Sequence, residues 1–179
     1  LQGFLGGDNI PAYRNPGMEC CEMHSMSMEY LTYPWMNLFF KEDTEKYLYQ
    51  HLADAITFIP YGCIVDAFQA YVYENPNLTH KERKAYFREL EKTYLPHKNY
   101  AGNEFLESGG FFMKQSHIFE LPFYYLDYTI AQVVSLEFFS MSEKDHQGTF
   151  EKYLGLCSLA GTRPFRALLK KANNKNPMD

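Results

Sequence analysis

The chain has 179 residues, one domain's worth, and 46% of them are hydrophobic, so it can bury a real core and disorder is excluded. A formal net charge of −5, with no basic stripe among the aromatic residues, argues against nucleic acid as a partner. Aromatic residues reach 17%, with 15 Tyr and 15 Phe, and so many phenols need polar partners or water, as along a wet groove.

In chain order, residues 1–17 read as a loop punctuated by Gly3, Gly6, Gly7, Pro11 and Pro16. The sequence opens at Leu1-Gln2-Gly3-Phe4 without Met, as expected of a processed product or a piece of a longer chain. A helix is expected from Met18 through Glu29 toward Phe40, with a kink or break at Pro34. A second covers Glu42 to Phe58, where Tyr47, Leu48, His51, Leu52, Ala55 and Ile56 recur at helical spacing. Pro60 and Gly62 then punctuate, and a third helix runs from Ile64 to Tyr73, stopping at Asn75-Pro76.

Thr79 opens the next helix, with Glu82 three residues on completing a capping box, and the helix ends before Pro96. Residues 96–112 are rich in loop signals, including Gly102, Gly109 and Gly110. A long helix follows Pro122, a residue suited to a first turn, and continues to about Met141. Two shorter helices near 145–159 and 163–172 complete the chain. No strand pattern competes, so the expected fold is all-α: a single domain over 1–179 built as an irregular multi-helix bundle.

Cys20, Cys21, Cys63 and Cys157 follow no disulfide framework and are expected as reduced thiols of a cytoplasmic protein. No apolar run approaches the ~20 residues of a bilayer span and no signal peptide is visible, so no membrane partner is expected.

Two segments carry possible chemistry. The first is Glu19-Cys20-Cys21-Glu22-Met23-His24-Ser25-Met26-Ser27-Met28-Glu29. On a helix Glu22 and Glu29, seven apart, share a face, and Glu19 sits one turn before Glu22. Carboxylates beside Met side chains are costly to bury unless a metal or donor pairs with them, and a solvated acidic edge is the plainer alternative. Cys21 and His24 stand three apart, as metal ligands can, but a packed Cys beside a satisfied His explains them equally simply.

The second runs from Ser116-His117 through Tyr124-Tyr125-Leu126-Asp127-Tyr128. Tyr125 and Tyr128 would project in one direction from a helix, with His117 on the preceding turn. One imidazole and two phenols converging on a cavity can donate hydrogen bonds to an oxyanion. The alternative is an aromatic helix packing in a core.

Taken together and in this order, the segments resemble the M3 zinc metallopeptidases, specifically the oligoendopeptidase F-like branch. Glu22-Met23-His24-Ser25 resembles the family's Glu-x-x-Ser segment, and the resemblance implies Glu22 as a zinc ligand with Ser25 and Glu29 orienting groups around it. His117 and the run Phe123 to Gln132 look like the family's His-and-Tyr element. That implies Tyr128, Tyr125 and His117 as catalytic donors, with Tyr124 the alternative to Tyr125 at the metal. Gly109, Gly110 and Tyr124 are the expected places for peptide backbone to approach, with an ordinary flexible turn the equal alternative for the two glycines. The likeness extends over the Trp35 segment, the Gly109-Gly110 turn and the 161–169 tail.

The implied fold is the C-terminal part of a zincin-like M3 catalytic domain, and the implied substrates are short peptides. The family's His-Glu-x-x-His motif occurs nowhere in the sequence. Since a catalytic zinc needs three protein ligands, the chain alone is expected to hold no zinc and to be inactive without the N-terminal part of the same protein. Exposed apolar surface is then expected to favour homo-oligomers. The competing readings are a non-catalytic helical peptide-binding module of the same fold and a carboxylate-bridged dimetal bundle. The second is disfavoured, because Glu22 and His24 are two apart where such a site wants Glu-x-x-His pairs.

Overall fold

A computed structural model describes residues 1–159 and 161–178, and every regular element among them is helical. They form two compact units, Leu1–Ala53 with Ile130–Asp179, and Asp54–Thr129.

In the first unit the Met18–Leu31 helix buries Cys20, Met23, His24, Ser27, Tyr30 and Leu31. These residues recur at intervals of three and four, which places them on one face. Cys20, Met23 and Leu31 pack with Ala131, Val134 and Phe138 of the Tyr125–Ser142 helix and with Tyr153, Leu156 and Cys157 of the His146–Ser158 helix. Leu168 and Leu169 of Phe165–Lys171 close this core. Polar groups inside it are paired: Gln132 Nε2 donates to the Tyr30 hydroxyl at 2.8 Å, and the Tyr153 hydroxyl donates to the His24 carbonyl at 2.9 Å. The expected helix toward Phe40 ends instead at Leu31, and Pro34 sits in a 3-10 turn, Tyr33–Trp35, before a short helix Asn37–Phe40.

Residues 1–17 are more than a loop. Gln2–Leu5 is a short helix and Pro11–Tyr13 a 3-10 turn, and the Gly161 N–H donates to the Tyr13 carbonyl at 2.9 Å. A Cβ on Gly161 would lie 2.1 Å from the Asn15 carbonyl oxygen, so only glycine permits that approach.

In the second unit Ile64 and Phe68 meet Phe87, Leu90, Leu95 and Phe112. The His80–Tyr94 helix begins with the expected capping box between Thr79 and Glu82. The break expected at Pro60 does not occur, because Thr44–Glu74 is one helix with Pro60 inside it. Proline costs one backbone hydrogen bond, to the Ile56 carbonyl. Gly62 is explained by packing rather than by a turn, since a Cβ there would lie 1.8 Å from Thr129 Oγ1.

Contrary to the expectation of no membrane-length run, the stretch 33–74 contains an 18-residue window of mean hydropathy 1.3, apolar and long enough to cross a bilayer. Ile64 and Phe68 from this helix are buried, with the Phe68 ring 4.6 Å from that of Phe112, but only 33% of the apolar window is buried.

Candidate functional site

The long helix expected after Pro122 starts three residues later, at Tyr125. Phe123 adopts a positive φ of 66°, uncommon for a bulky side chain. Two contacts hold it there: its N–H donates to Gln69 Oε1 at 3.0 Å, and its ring packs 5.0 Å from that of Tyr73. Gln69 is almost wholly buried, so a neighbouring helix, rather than a proline-started first turn, fixes where the tyrosine helix begins.

That start brings the predicted residues together. The His117 ring, on the short helix His117–Glu120, lies 5.2 Å from the Tyr125 ring, 5.6 Å from Tyr128 and 6.1 Å from Tyr124. Tyr125 and Tyr128 are 5.6 Å apart, and Tyr124 and Tyr128 4.9 Å. Tyr125 is buried while Tyr124, Tyr128 and His117 are partly exposed. Phe58 and Tyr61 flank the Tyr125 ring at 5.7 and 5.9 Å. Burial pushes the Tyr125 phenol up to about 12, with Tyr128 adding to the shift, so Tyr125 is a donor at any ordinary pH.

Two residues of this cluster carried no signal in the sequence. Gln115 Nε2 lies 2.7 Å from His117 Nδ1, and the Tyr61 hydroxyl donates to Gln115 Oε1 at 3.1 Å. Tyr61 also lines a cleft of about 480 Å³ with Phe58, Leu95, His97, Lys98, Phe111 and Lys114.

Gly109 and Gly110 are both buried. Gly109 has φ 93°, and a Cβ there would lie 1.8 Å from the Lys84 carbonyl oxygen. A Cβ on Gly110 would meet the Phe105 ring at 2.5 Å. The backbone approach these glycines permit is therefore to their own unit, as in an ordinary tight turn.

In the first unit Glu22 is half-buried. Ser25 donates its hydroxyl to the backbone carbonyl of Glu22 at 2.9 Å, not to the carboxylate. Glu29 Oε2 instead lies 2.9 Å from His51 Nε2, and His51 Nδ1 is 2.6 Å from the Tyr33 hydroxyl. In the sequence His51 is legible only as one member of a helical stripe. The Tyr30 and Tyr47 rings hold its imidazole at 5.3 and 5.6 Å.

His24 is turned into the core. Its Nδ1 is 3.5 Å from Cys157 Sγ and its ring meets that of Tyr153 edge-on at 5.9 Å, while Cys21 Sγ reaches only the Pro16 carbonyl. Burial lowers the His24 pKa to about 4, so the ring is neutral and packed, and Cys21 and His24 form no ligand pair. All four cysteines are free thiols.

Among the described residues no group of three or more His, Cys, Asp or Glu could hold a metal. The donor set of these residues, taken alone, does not fit a zinc ion.

No protein-family model matches the chain, and no curated protein matches it. Solved structures do. The chain is 49% identical, over 99% of its length, to PZ peptidase A with inhibitor 2, with a TM-score of 0.95. It is 49% identical over 98% of its length to a structure assigned as an oligoendopeptidase F, TM-score 0.94, and 41% identical over 99% to one so assigned from Bacillus anthracis str. Ames, TM-score 0.83. It covers 32%, 31% and 29% of those chains, so it spans about a third of the proteins it matches.

Proposed function

We propose, on the premise that this chain belongs with the oligoendopeptidase F and PZ peptidase group of M3 peptidases, that it supplies the substrate-activating part of a zinc-dependent oligoendopeptidase acting on short peptides. The observation that carries the reading is the imidazole of His117 set 5.2 and 5.6 Å from the rings of Tyr125 and Tyr128. Three hydrogen-bond donors gathered in one place are of little use to a packed core. They suit an oxygen that gains negative charge, as the carbonyl oxygen of a scissile peptide does when water adds to its carbon.

In this account Tyr128, a partly exposed residue, donates its hydroxyl to the developing oxyanion, with Tyr125 or the His117 imidazole as a second donor. The buried Tyr125 ring, braced by Phe58 and Tyr61, keeps the donors in place without a reorganisation cost during reaction. Glu22 contributes one zinc ligand, and the others come from sequence beyond these residues. The 179 residues by themselves then retain no zinc and cleave no peptide.

A zinc determination tests this. In the peptidase that contains this chain, Glu22→Gln is expected to lose bound zinc and activity together. A Glu22→Gln protein that keeps both stoichiometric zinc and turnover overturns the assignment.

A further inference from the structure

Behind the His117 ring stands a side chain that the peptidase reading does not use. Gln115 bridges two groups: its Oε1 is 3.1 Å from the Tyr61 hydroxyl and its Nε2 is 2.7 Å from His117 Nδ1. A glutamine amide has one accepting oxygen and one donating nitrogen. With the Tyr61 hydroxyl donating to the oxygen, the nitrogen is left to donate to the imidazole. A ring nitrogen that accepts carries no proton, so neutral His117 has its proton on Nε2.

Tyr61 is well placed to hold the amide in that sense. Its ring sits edge-on to Tyr125 and to Phe111, 5.9 Å from each, and the Lys98 ammonium lies 5.6 Å from its centroid. Burial raises the Tyr61 phenol above its ordinary range, so the hydroxyl keeps the proton it donates.

We infer that Gln115 is a positioning residue that locks His117 in the Nε2–H tautomer, making Nε2–H the only donor the ring can offer a substrate oxygen. This selection is the reverse of that made by a carboxylate behind a histidine, which takes the Nδ1 proton and leaves Nε2 a base. The His117 group is thereby built to give a hydrogen bond rather than to remove a proton. The tautomer follows from the amide orientation, with Gln115 Oε1 toward the Tyr61 hydroxyl, whereas its consequence for catalysis rests on the proposed function.

The test separates the two. Nitrogen-15 NMR of the histidine-labelled protein at neutral pH is expected to show His117 with a protonated Nε2 and a bare Nδ1. Gln115→Glu, which offers only acceptors at neutral pH, is expected to move the proton to Nδ1, and Gln115→Leu to leave a mixture of tautomers. In the peptidase containing this chain, Gln115→Glu is expected to lower kcat by ~10²-fold or more while KM stays within about twofold. Nδ1–H in the unaltered protein, or a tautomer indifferent to both substitutions, overturns the inference. A tautomer that switches with kcat unchanged supports the role of Gln115 and removes His117 from the reaction.

Discussion

Gly62 and Thr129 meet so closely that a single methyl group on Gly62 would fall 1.8 Å from the threonine Oγ1. The contact joins the Thr44–Glu74 helix to the helix that carries Tyr125 and Tyr128, and Thr129 is the next residue after Tyr128. Gly62→Ala must therefore displace Thr129 or push the helices apart, a cost of ~1–3 kcal/mol from overpacking. Denaturant unfolding of Gly62→Ala should show that loss, and Thr129→Ala in the same chain should restore part of it.

Glu91 is fully buried, with Lys98 Nζ 2.9 Å from one oxygen, the Tyr100 hydroxyl on the same oxygen and Arg88 Nη1 3.6 Å from the other. The Arg88 contact is an ion pair too long for a hydrogen bond, which leaves Oε2 without a donor. Removing the carboxylate takes the anion from the Lys98 ammonium and leaves Arg88 with Glu107 alone, 2.7 Å away, so Glu91→Ala should cost ~3–5 kcal/mol in chemical denaturation. A loss below about 1 kcal/mol would mean that the burial is not maintained in solution.

The His24 pKa, lowered by burial from 6.5 to about 4, makes stability depend on pH. The unfolded chain takes up this proton as pH falls through about 6.5, whereas the folded chain resists until about 4. The stabilising contribution is thus whole above 6.5 and lost progressively on acidification, with an upper figure of about 3 kcal/mol by pH 4. Urea titrations between pH 7 and 5, above the range where most carboxylates titrate, should show a shallower pH slope for His24→Asn than for the unaltered chain.

Much of this was legible in the sequence where a local rule decides the outcome. The capping box at Thr79 and Glu82 needs only residues three apart, and the Tyr125/Tyr128 spacing on a helix needs only its period. The failures come from packing over long separations. Pro60 and Gly62 read as punctuation, yet Gly62 answers to Thr129, 67 positions away, and the helix runs through both. The register of the tyrosine helix is set by Gln69 acting on Phe123. Gln115, the group behind His117, is a common polar residue with no motif to announce it. Its meaning depends on Tyr61, 54 positions before it.

The most direct measurement is peptide hydrolysis by the Tyr128→Phe form of the peptidase that contains this chain, with its zinc content assayed in parallel. If the phenol holds the oxyanion, kcat/KM falls by ~10²–10³-fold while zinc stays at the level of the unaltered enzyme. Turnover left within a fewfold of the unaltered enzyme, with zinc equally retained, would contradict the oxyanion role given to the Tyr128 cluster.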